Sequence, residues 1–490
     1  MENRNMAHIS SSSSSKPNIV VFPFMSKGHT IPLLHLAQLL LDRGLATVTI
    51  FTTPANHPFI SQSLAGAHVS IVDLPFPRNI QGVPPGVEST DKLPSMALFI
   101  PFVRGLELMQ PAFEQELEKI HSQVTCIISD GFLPWTLESA SRLGIPRLSY
   151  YGMSYYSMAV SRDAAFSGLM SSPETDDEPF TVKSFPWIQI TRNDFDEPFN
   201  RRDPSGPHLD FINQAVTATA NSYGLLVNTF YDLEQQFADY CNHDCHLRTW
   251  SIGPLCLAKL QKNKILQSEK PGWMHWLDQK LAQERPVLYV AFGTQASISP
   301  TQLQEIALGL EGAEVSFLWV VKKSDVELLS EDFQSTVSER GIIVTDWVDQ
   351  EEILEHPIVQ GFLSHCGWNS VLDGICAGVP ILAWPMMAEQ GLNAKLVVEE
   401  IKVGLRVGTV DGRSKGFVTA NNLKSAVREL MGSGEGKQLR EKVKEIAKAA
   451  IEATSEGGSS WNALSNLINE IQREKEINSS KLTTVDICTK

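Results

Sequence analysis

The amino-acid sequence predicts an α/β protein made of two doubly wound domains that face each other across a cleft. The chain has 490 residues, which exceeds the size of one typical domain. Strand-like and helix-like segments alternate along both halves, as they do in a parallel sheet with crossover helices. Between the halves lies a polar, lysine-rich segment, residues 257–271, with the composition of an exposed linker. A cleft between two such domains is a usual place for a ligand.

The first half begins with a strand, a helix and a second strand. Residues 18–24 are rich in β-forming side chains and run into a turn at Gly28-His29. Apolar residues then recur at helical spacing until Gly44 ends the helix, and residues 46–52 form the second strand. This order predicts a βαβ unit of a parallel sheet. Three more buried strands are predicted at residues 126–129, 147–150 and 224–227.

The second half repeats the pattern. Apolar runs predict strands at residues 287–292, 316–321, 342–345 and 358–363, and a helix at 301–310. Strong helix formers with apolar spacing fill residues 437–471. The chain therefore divides into a disordered tail (1–15), a first domain (16–255), a linker (256–272) and a second domain (273–459).

The composition argues against several classes of partner. The net charge of -15 disfavours general binding to nucleic acid or to an anionic membrane surface. Residues 1–15 lack the apolar core of a secretory signal, and no apolar run approaches the roughly 18–20 residues that cross a bilayer. The 7 cysteines are scattered, as expected of free thiols in a reducing compartment. We therefore expect a cytoplasmic protein, and a monomer, that binds neither nucleic acid nor membrane.

A phosphate-binding pattern lies in the second half. The apolar run 358–363 leads directly into the segment 364–370, SHCGWNS. A strand that ends in small and polar residues and opens a helix leaves backbone N–H groups unpaired, and these can hold a phosphate. His365, Asn369 and Ser370 add side-chain donors at the same place. The pattern indicates a ligand that carries phosphate.

The segment from Trp347 to Gln390 resembles, without a gap, the signature box of plant UDP-dependent glycosyltransferases, the family-one enzymes that attach sugars to small lipophilic acceptors. The family's layout extends from roughly Lys16 to Lys475. The resemblance implies the GT-B fold, with an N-terminal acceptor-binding Rossmann-like domain and a C-terminal UDP-sugar-binding Rossmann-like domain. It also implies that a helix at residues 460–476 returns to the N-terminal domain before a flexible tail at 477–490.

The resemblance assigns residues to each part of the nucleotide. Trp347 stacks on the uracil ring and the backbone of Val348 bonds to its edge, although a loop tryptophan more often serves packing. Gln350 and Asp373 hold the ribose hydroxyls, for which a carboxylate is a good acceptor. The diphosphate contacts are assigned to Thr294, His365, Asn369 and Ser370.

Alternatives and departures remain at three of these positions. Gly293-Thr294 alone is better explained as a plain β-to-α turn. Asp373 replaces the family's usual Glu and shortens the arm by about one methylene. Asp349 replaces the usual Pro, so a flexible charged residue stands where φ is normally restricted. Both replacements bear on donor affinity.

The end of the box points to the sugar. Glu389 and Gln390 match the residues that bind the sugar hydroxyls. In the family, Gln rather than His at the last position is associated with glucose over galactose. Trp368 rather than Arg is associated with glucose over glucuronic acid, because an indole offers no charge to a carboxylate. UDP-glucose is therefore the expected donor. Because no Asp-x-Asp pair lies beside the box, we expect no metal and no other cofactor.

Two residues of the first half match the family's catalytic pair. Glycosylation of a hydroxyl needs a base near neutral pH, and histidine has an unperturbed pKa near roughly 6.5. His29 follows Gly28 at the end of the first strand, in the position of the base. Asp130, at the end of the strand 126–129, matches the carboxylate that orients it, although Asp after a strand more often caps a helix. We expect inversion at the anomeric carbon.

The acceptor is weakly encoded. A flavonoid or another phenol is favoured, a terpenoid or triterpenoid stays open, and so does an O-, N-, S- or C-linkage. Each residue that could line the acceptor pocket could equally belong to the core. These candidates are Met25, Phe132, Trp135, Tyr155, Tyr156, Trp187 and residues 96–102.

Other functional classes fit less well. A nicotinamide-dependent oxidoreductase needs Gly-x-Gly-x-x-Gly after the first strand, and residues 23–29 read PFMSKGH. A non-catalytic UDP-sugar-binding relative stays open, but it has no need of the base and its partner. The cluster CNHDCH at residues 241–246 is too tightly spaced to surround one zinc ion.

Overall fold

The computed structural model describes residues 16–260 and 270–488, with side chains as far as residue 477. The predicted tail at residues 1–15 and residues 261–269 of the predicted linker lie outside the described residues. Strands and helices alternate through both halves, which confirms the predicted α/β class.

The first half contains nine strands and eight α-helices among the described residues. In chain order these are β1 (Asn18–Phe22), α1 (Lys27–Asp42), β2 (Thr47–Thr52), α2 (His57–Ser63), β3 (Val69–Asp73), α3 (Phe99–Leu106), α4 (Gln110–Ile120), β4 (Val124–Asp130), α5 (Thr136–Arg142), β5 (Arg147–Tyr151), α6 (Tyr155–Phe166), β6 (Phe180–Thr181), β7 (Gln189–Ile190), α7 (Pro207–Ala220), β8 (Gly224–Val227), α8 (Tyr231–His243) and β9 (Thr249–Ser251).

The second half follows the same plan and ends in three successive helices. Its elements are α9 (Gly272–Ala282), β10 (Val287–Ala291), α10 (Pro300–Ala313), β11 (Ser316–Val320), α11 (Lys323–Val326), α12 (Glu331–Val337), β12 (Gly341–Val344), α13 (Gln350–Leu354), β13 (Val359–Ser364), α14 (Trp368–Cys376), β14 (Ile381–Ala383), α15 (Gln390–Lys395), β15 (Gly404–Arg406), α16 (Ala420–Met431), α17 (Glu435–Thr454) and α18 (Ser459–Cys488).

Each half contains one parallel sheet. The strand order is β3-β2-β1-β4-β5-β8-β9 in the first sheet and β12-β11-β10-β13-β14-β15 in the second. In the first sheet the chain moves outward from β1 in one direction and then returns to β4 on its other side. In the second sheet β10 and β13 have the same relation. Each sheet therefore has a topological switch point, where ligands of open α/β sheets usually bind.

Apolar strands are covered by helices on both faces, as parallel sheets require. In β1, Ile19 and Val21 pack with residues of α1 and α18, whereas Val20 and Phe22 pack with residues of α3 and α4. The last helix of the chain therefore lies against the first sheet.

The ends of the elements differ from the sequence predictions by a few residues, except at the C-terminus. There α18 continues to Cys488, whereas the sequence predicts a helix ending at residue 476 and a flexible tail. No helix among the described residues is both long enough and apolar enough to cross a bilayer.

Candidate active site

The two switch points meet across the cleft. At the first, His29 follows β1 and Asp130 ends β4. At the second, Thr294 follows β10 and His365 follows β13. The side chain of Asn369 donates a hydrogen bond from Nδ2 to the carbonyl oxygen of Gly28, 2.5 Å away. The residues expected to bind donor and those expected to catalyse therefore share one site.

His29 and Asp130 form a hydrogen-bonded pair. The distance from His29 Nδ1 to Asp130 Oδ2 is 2.8 Å, and the carboxylate is fully buried while the imidazole is 23% exposed. Asp130 Oδ1 accepts the backbone N–H of Phe132 at 2.9 Å. The carboxylate thus makes the local turn contact expected of an Asp after a strand and also orients the imidazole, so both sequence interpretations apply.

The environment of His29 favours its protonated form. Burial lowers the pKa of His29, but the charge and hydrogen bond of Asp130 outweigh burial, and the charge of Glu389 adds to them. The pKa of His29 is therefore raised above its ordinary value. The stabilised imidazolium is what remains after a base has taken a proton, so this environment suits a general base.

An aromatic cluster surrounds the imidazole. Its ring centroid lies 5.2 Å from that of Phe24 and 5.1 Å from that of Phe132. Phe99 and Phe211 extend the cluster outward from Phe132, with ring centroids 6.0 and 5.5 Å from it. These rings come from separate parts of the first half, and together they form an apolar surface beside the base.

The other aromatic candidates for the acceptor pocket have different positions. Trp135 packs against Phe22 and Phe113 in the core. Tyr155 and Tyr156 are 1% exposed and belong to the core between α6 and α8. Trp187 is exposed and donates its indole N–H to Glu400. Of the aromatic side chains named from the sequence, Phe132 and Phe99 are the ones that lie near His29.

Two glycines leave the space that the His365 side chain occupies. A Cβ atom at Gly293 would lie 2.8 Å from His365 Nε2, and one at Gly367 would lie 2.6 Å from it. Gly293 also has a φ of +75°, which L side chains rarely adopt. Burial lowers the pKa of His365 to about 4. His365 is therefore neutral at physiological pH and can offer a ligand a hydrogen bond but no charge.

The residues predicted to bind the ribose, Gln350 and Asp373, are hydrogen-bonded to each other, and Gln350 is also hydrogen-bonded to Ser370, a predicted phosphate ligand. Gln350 donates from Nε2 to Asp373 Oδ2 at 2.8 Å and to Ser370 Oγ at 2.9 Å. Burial raises the pKa of Asp373 to about 6, while the hydrogen bond from Gln350 opposes this. At neutral pH the carboxylate is mainly ionised and can accept hydrogen bonds from hydroxyl groups.

The start of the signature box is open to the cleft. Trp347 is 60% exposed, and its ring meets the edge of Phe59 in α2 at a centroid distance of 6.5 Å. This exposure leaves an indole face open and does not favour the packed-loop interpretation of this tryptophan. Val348 is buried. Asp349, which departs from the family, accepts the backbone N–H of Glu352 and caps α13, so a capping bond replaces the restricted φ of proline.

The sugar-binding candidates differ in their burial and in the hydrogen bonds that they already make. Glu389 lies close enough to His29 for their charges to interact, and burial raises its pKa. Gln390 is buried, and its Oε1 accepts the backbone N–H groups of Met386 and Met387, both at 2.9 Å. Trp368 is 1% exposed. Because its indole is buried, Trp368 has almost no surface that could touch a bound sugar.

Several polar residues that join the two domains were missed in the sequence. Asn228, just after β8, accepts the indole N–H of Trp368 on its backbone carbonyl at 2.7 Å. Asn393 Oδ1 accepts hydrogen bonds from the hydroxyls of Ser154 and Ser157 at 3.0 and 2.7 Å. Gln295 crosses the cleft as well. The position of Asn228 at the carboxyl end of a strand was a usable signal, whereas for the serines there was none.

The cysteine- and histidine-rich segment 241–246 shows no metal-ligand geometry. Among the residues that the structure describes, no three His, Cys, Asp or Glu side chains are grouped so that they could hold a metal ion. Cys241 is buried at the end of α8 and belongs to the core.

Comparison with known sequences identifies relatives over nearly the whole chain. A family profile described as "UDP-glucoronosyl and UDP-glucosyl transferase" matches residues 269–446. UDP-glycosyltransferase 90A1 of Arabidopsis thaliana is 51% identical over 470 residues, which cover 94% of this chain and 98% of that protein.

Comparison with solved structures agrees. A glycosyltransferase of Glycyrrhiza uralensis, complexed with glycyrrhetinic acid 3-O-monoglucuronide, has a TM-score of 0.84 and 28% identity, covering 97% of this chain and 100% of that one. A protein of Phytolacca americana, complexed with UDP-2-fluoro-glucose and pterostilbene, has a TM-score of 0.76 and 28% identity, covering 93% and 99%.

Proposed function

The chain belongs to the plant UDP-dependent glycosyltransferases, and from this premise we propose that it transfers glucose from UDP-glucose to a hydroxyl of a small phenolic acceptor. The transfer inverts the anomeric carbon and needs no metal. The main support for this proposal is the hydrogen bond of 2.8 Å between His29 and Asp130. This pair lies across the cleft from residues 364–370, which we call the phosphate turn. In this proposal the first domain binds the acceptor and the second binds the donor.

The proposed reaction proceeds in one displacement. The ring nitrogen of His29 that Asp130 does not engage accepts the acceptor's hydroxyl proton. The acceptor oxygen forms its bond to the anomeric carbon while the bond from that carbon to the diphosphate oxygen breaks, and UDP leaves with the electron pair. Asp130 stabilises the resulting imidazolium. Because attack comes from the side opposite UDP, the product has the inverted configuration.

The donor is held by the second domain. Trp347 offers its open indole face to uracil and Val348 its backbone, while Gln350 and Asp373 take the ribose hydroxyls. The diphosphate lies at the start of α14, where the helix dipole and four side chains stabilise the leaving charge without a metal. These four are Thr294, His365, Asn369 and Ser370. Glu389 and Gln390, supported by the buried Trp368, bind the glucose hydroxyls.

The aromatic cluster beside His29 favours a planar phenolic acceptor. Aromatic rings prefer edge-to-face or offset contact with one another. The partly exposed ring of Phe132 contacts His29 and the partly exposed ring of Phe99 adjoins Phe132, while the buried Phe24 packs against both. The Phytolacca americana relative was solved with pterostilbene, which is a phenol. The Glycyrrhiza uralensis relative was solved with a terpenoid derivative, so a triterpenoid is the second acceptor class to test.

A matrix of donors and acceptors tests the proposal. Purified enzyme is incubated with UDP-glucose, UDP-galactose or UDP-glucuronate and with flavonoid, simple phenol or triterpenoid acceptors, and products are read by mass. Each reaction is repeated after treatment with EDTA, and proton NMR gives the anomeric configuration. We expect β-glucosides of phenols, formed equally with EDTA. Absence of any UDP-glucose-dependent product, with UDP binding retained, would identify a non-catalytic relative.

A further inference from the structure

We propose that Gln295 is a positioning residue that ties the turn at Thr294 in the second domain to residues 24–30, which lead from β1 into the first turn of α1 and include His29. Gln295 follows Thr294 directly in the chain. Its Nε2 donates across the cleft to Thr90 Oγ1 at 2.7 Å and to Ser26 Oγ at 3.1 Å. The inference rests on the proposed role of His29 as the base, and it adds a residue that links donor to catalysis.

Ser26 connects this amide to the base. It is the N-cap of α1, and its carbonyl oxygen accepts the backbone N–H of His29 at 3.0 Å and that of Thr30 at 2.8 Å. Its own N–H donates to the carbonyl of Phe24 at 2.8 Å. Any displacement of Ser26 therefore moves the backbone of His29.

Thr90 is hydrogen-bonded to the segment between β1 and α1. Its backbone N–H donates to the carbonyl of Met25 at 2.9 Å, and the hydroxyl of Ser89 donates to that same oxygen at 3.2 Å. Thr90 is 2% exposed and Ser26 is 5% exposed. The two hydroxyl oxygens that accept hydrogen bonds from Gln295 are thus buried. Both belong to one small hydrogen-bonded unit, residues 24–30 with 89–90, which includes His29.

This arrangement predicts a defect in turnover rather than in donor affinity. The side chain of Gln295 reaches the opposite domain, so its loss leaves the groups assigned to the nucleotide in place. Among the described hydrogen bonds between residues 24–30 and the second domain, the one from Asn369 to Gly28 then remains. A misplacement of about 1 Å at a reacting group can cost on the order of 100-fold in rate.

The test uses variants on both sides of the contact. Gln295→Met removes both hydrogen bonds and Thr90→Val removes the shorter one, each at nearly constant shape, whereas Thr90→Ser keeps the hydroxyl. Gln302→Met is the matched control, since Gln302 bonds to the backbone of Val418 within the second domain. The measurements are kcat with UDP-glucose, the Kd of UDP by calorimetry, and the pH profile of kcat/KM.

We expect Gln295→Met and Thr90→Val to lower kcat roughly 10- to 100-fold, with the Kd of UDP within about twofold of wild type. Thr90→Ser and Gln302→Met should keep kcat. The acid limb of the pH profile should move to lower pH in the first two variants. Asp130 and Glu389 are the charged groups that raise the pKa of His29, and a displaced imidazole loses part of their effect.

Two outcomes overturn the inference. One is an unchanged kcat in Gln295→Met. The other is a Kd of UDP that rises while kcat stays constant, which would make Gln295 a donor-binding residue only. Failure of the proposed function is recognised separately: the wild-type enzyme would then form no UDP-glucose-dependent product, and if His29 were not the base, His29→Ala would retain activity whatever Gln295 does.

Discussion

The two walls of the cleft are encoded differently along the chain. The donor wall comes from one continuous segment, residues 347–390, joined by the turn at Thr294. The proposed acceptor wall takes His29 from the first turn of α1, Asp130 from the end of β4, and its aromatic cluster from separate parts of the first half. A phosphate site needs only a strand–helix junction with small residues, so its chemistry is local in sequence. A pocket for an apolar acceptor is formed only when distant elements pack together.

The largest effect should come from the acceptor wall. Replacing His29 by Ala removes the general base, a contribution of about 10³-fold to kcat. The Kd of UDP should not change, because the nucleotide contacts lie on the other wall. Initial rates and calorimetry measure the two quantities.

His57→Ala is the matched control for this variant. His57 also bonds to a carboxylate, that of Asp73 at 2.7 Å, but the pair is half-exposed on the surface. Its kcat should stay at the wild-type value. A His29→Ala enzyme with more than about a tenth of wild-type kcat would contradict the assignment of the base.

A glycine substitution should separate the donor wall from the acceptor wall. Gly293→Ala places a methyl group 2.8 Å from His365 Nε2, so the imidazole must move away from the phosphate turn. We expect the Kd of UDP to rise about tenfold, which corresponds to about 1.4 kcal/mol. Acceptor affinity should change little.

Gly86→Ala controls for backbone strain. Gly86 has a φ of +81°, close to that of Gly293, but a Cβ there meets nothing within 4 Å. Both variants bear the cost of a left-handed conformation, about 1–2 kcal/mol of stability, which thermal unfolding measures. If Gly86→Ala weakened UDP binding as much as Gly293→Ala, displacement of His365 would not be the cause.

An effect of similar size should appear in the pH dependence, where donor binding and catalysis each have their own acid limb. Asp373 has a pKa of about 6, so its accepting, ionised form is lost as pH falls through that value. Between pH 7 and pH 5 the affinity for UDP should fall about tenfold. In Asp373→Asn, binding at pH 7 should be weaker but independent of pH over this range. A wild-type Kd that is constant down to pH 5 would contradict the role of Asp373.

The acid limb of catalysis belongs to His29. Because the base works when neutral and its pKa is raised, kcat should decline already as pH falls below that raised pKa, above the ordinary histidine value near 6.5. The two limbs are measured on the same enzyme, one by kcat at saturating donor and the other by calorimetry with UDP.

Much of the donor wall could be predicted, and particular residues show why the rest could not. The strand before the phosphate turn ends one residue from its predicted end, at Ser364. Trp368, in contrast, was assigned to sugar selectivity, yet its indole is buried against the carbonyl of Asn228 in the other domain. The direction of a side chain depends on what packs against it, and that partner lies 140 residues away in sequence.

The sequence by itself determined the α/β class, the phosphate turn, and the family to which the chain belongs. These follow from local patterns: apolar periodicity, turn residues and an ordered run of polar side chains. Only the tertiary structure decided that the rings of Phe24 and Phe132 contact His29, and that Gln295 reaches Ser26 and Thr90. Such contacts join elements that are far apart along the chain. Packing and burial select them, and local spacing carries no record of that selection.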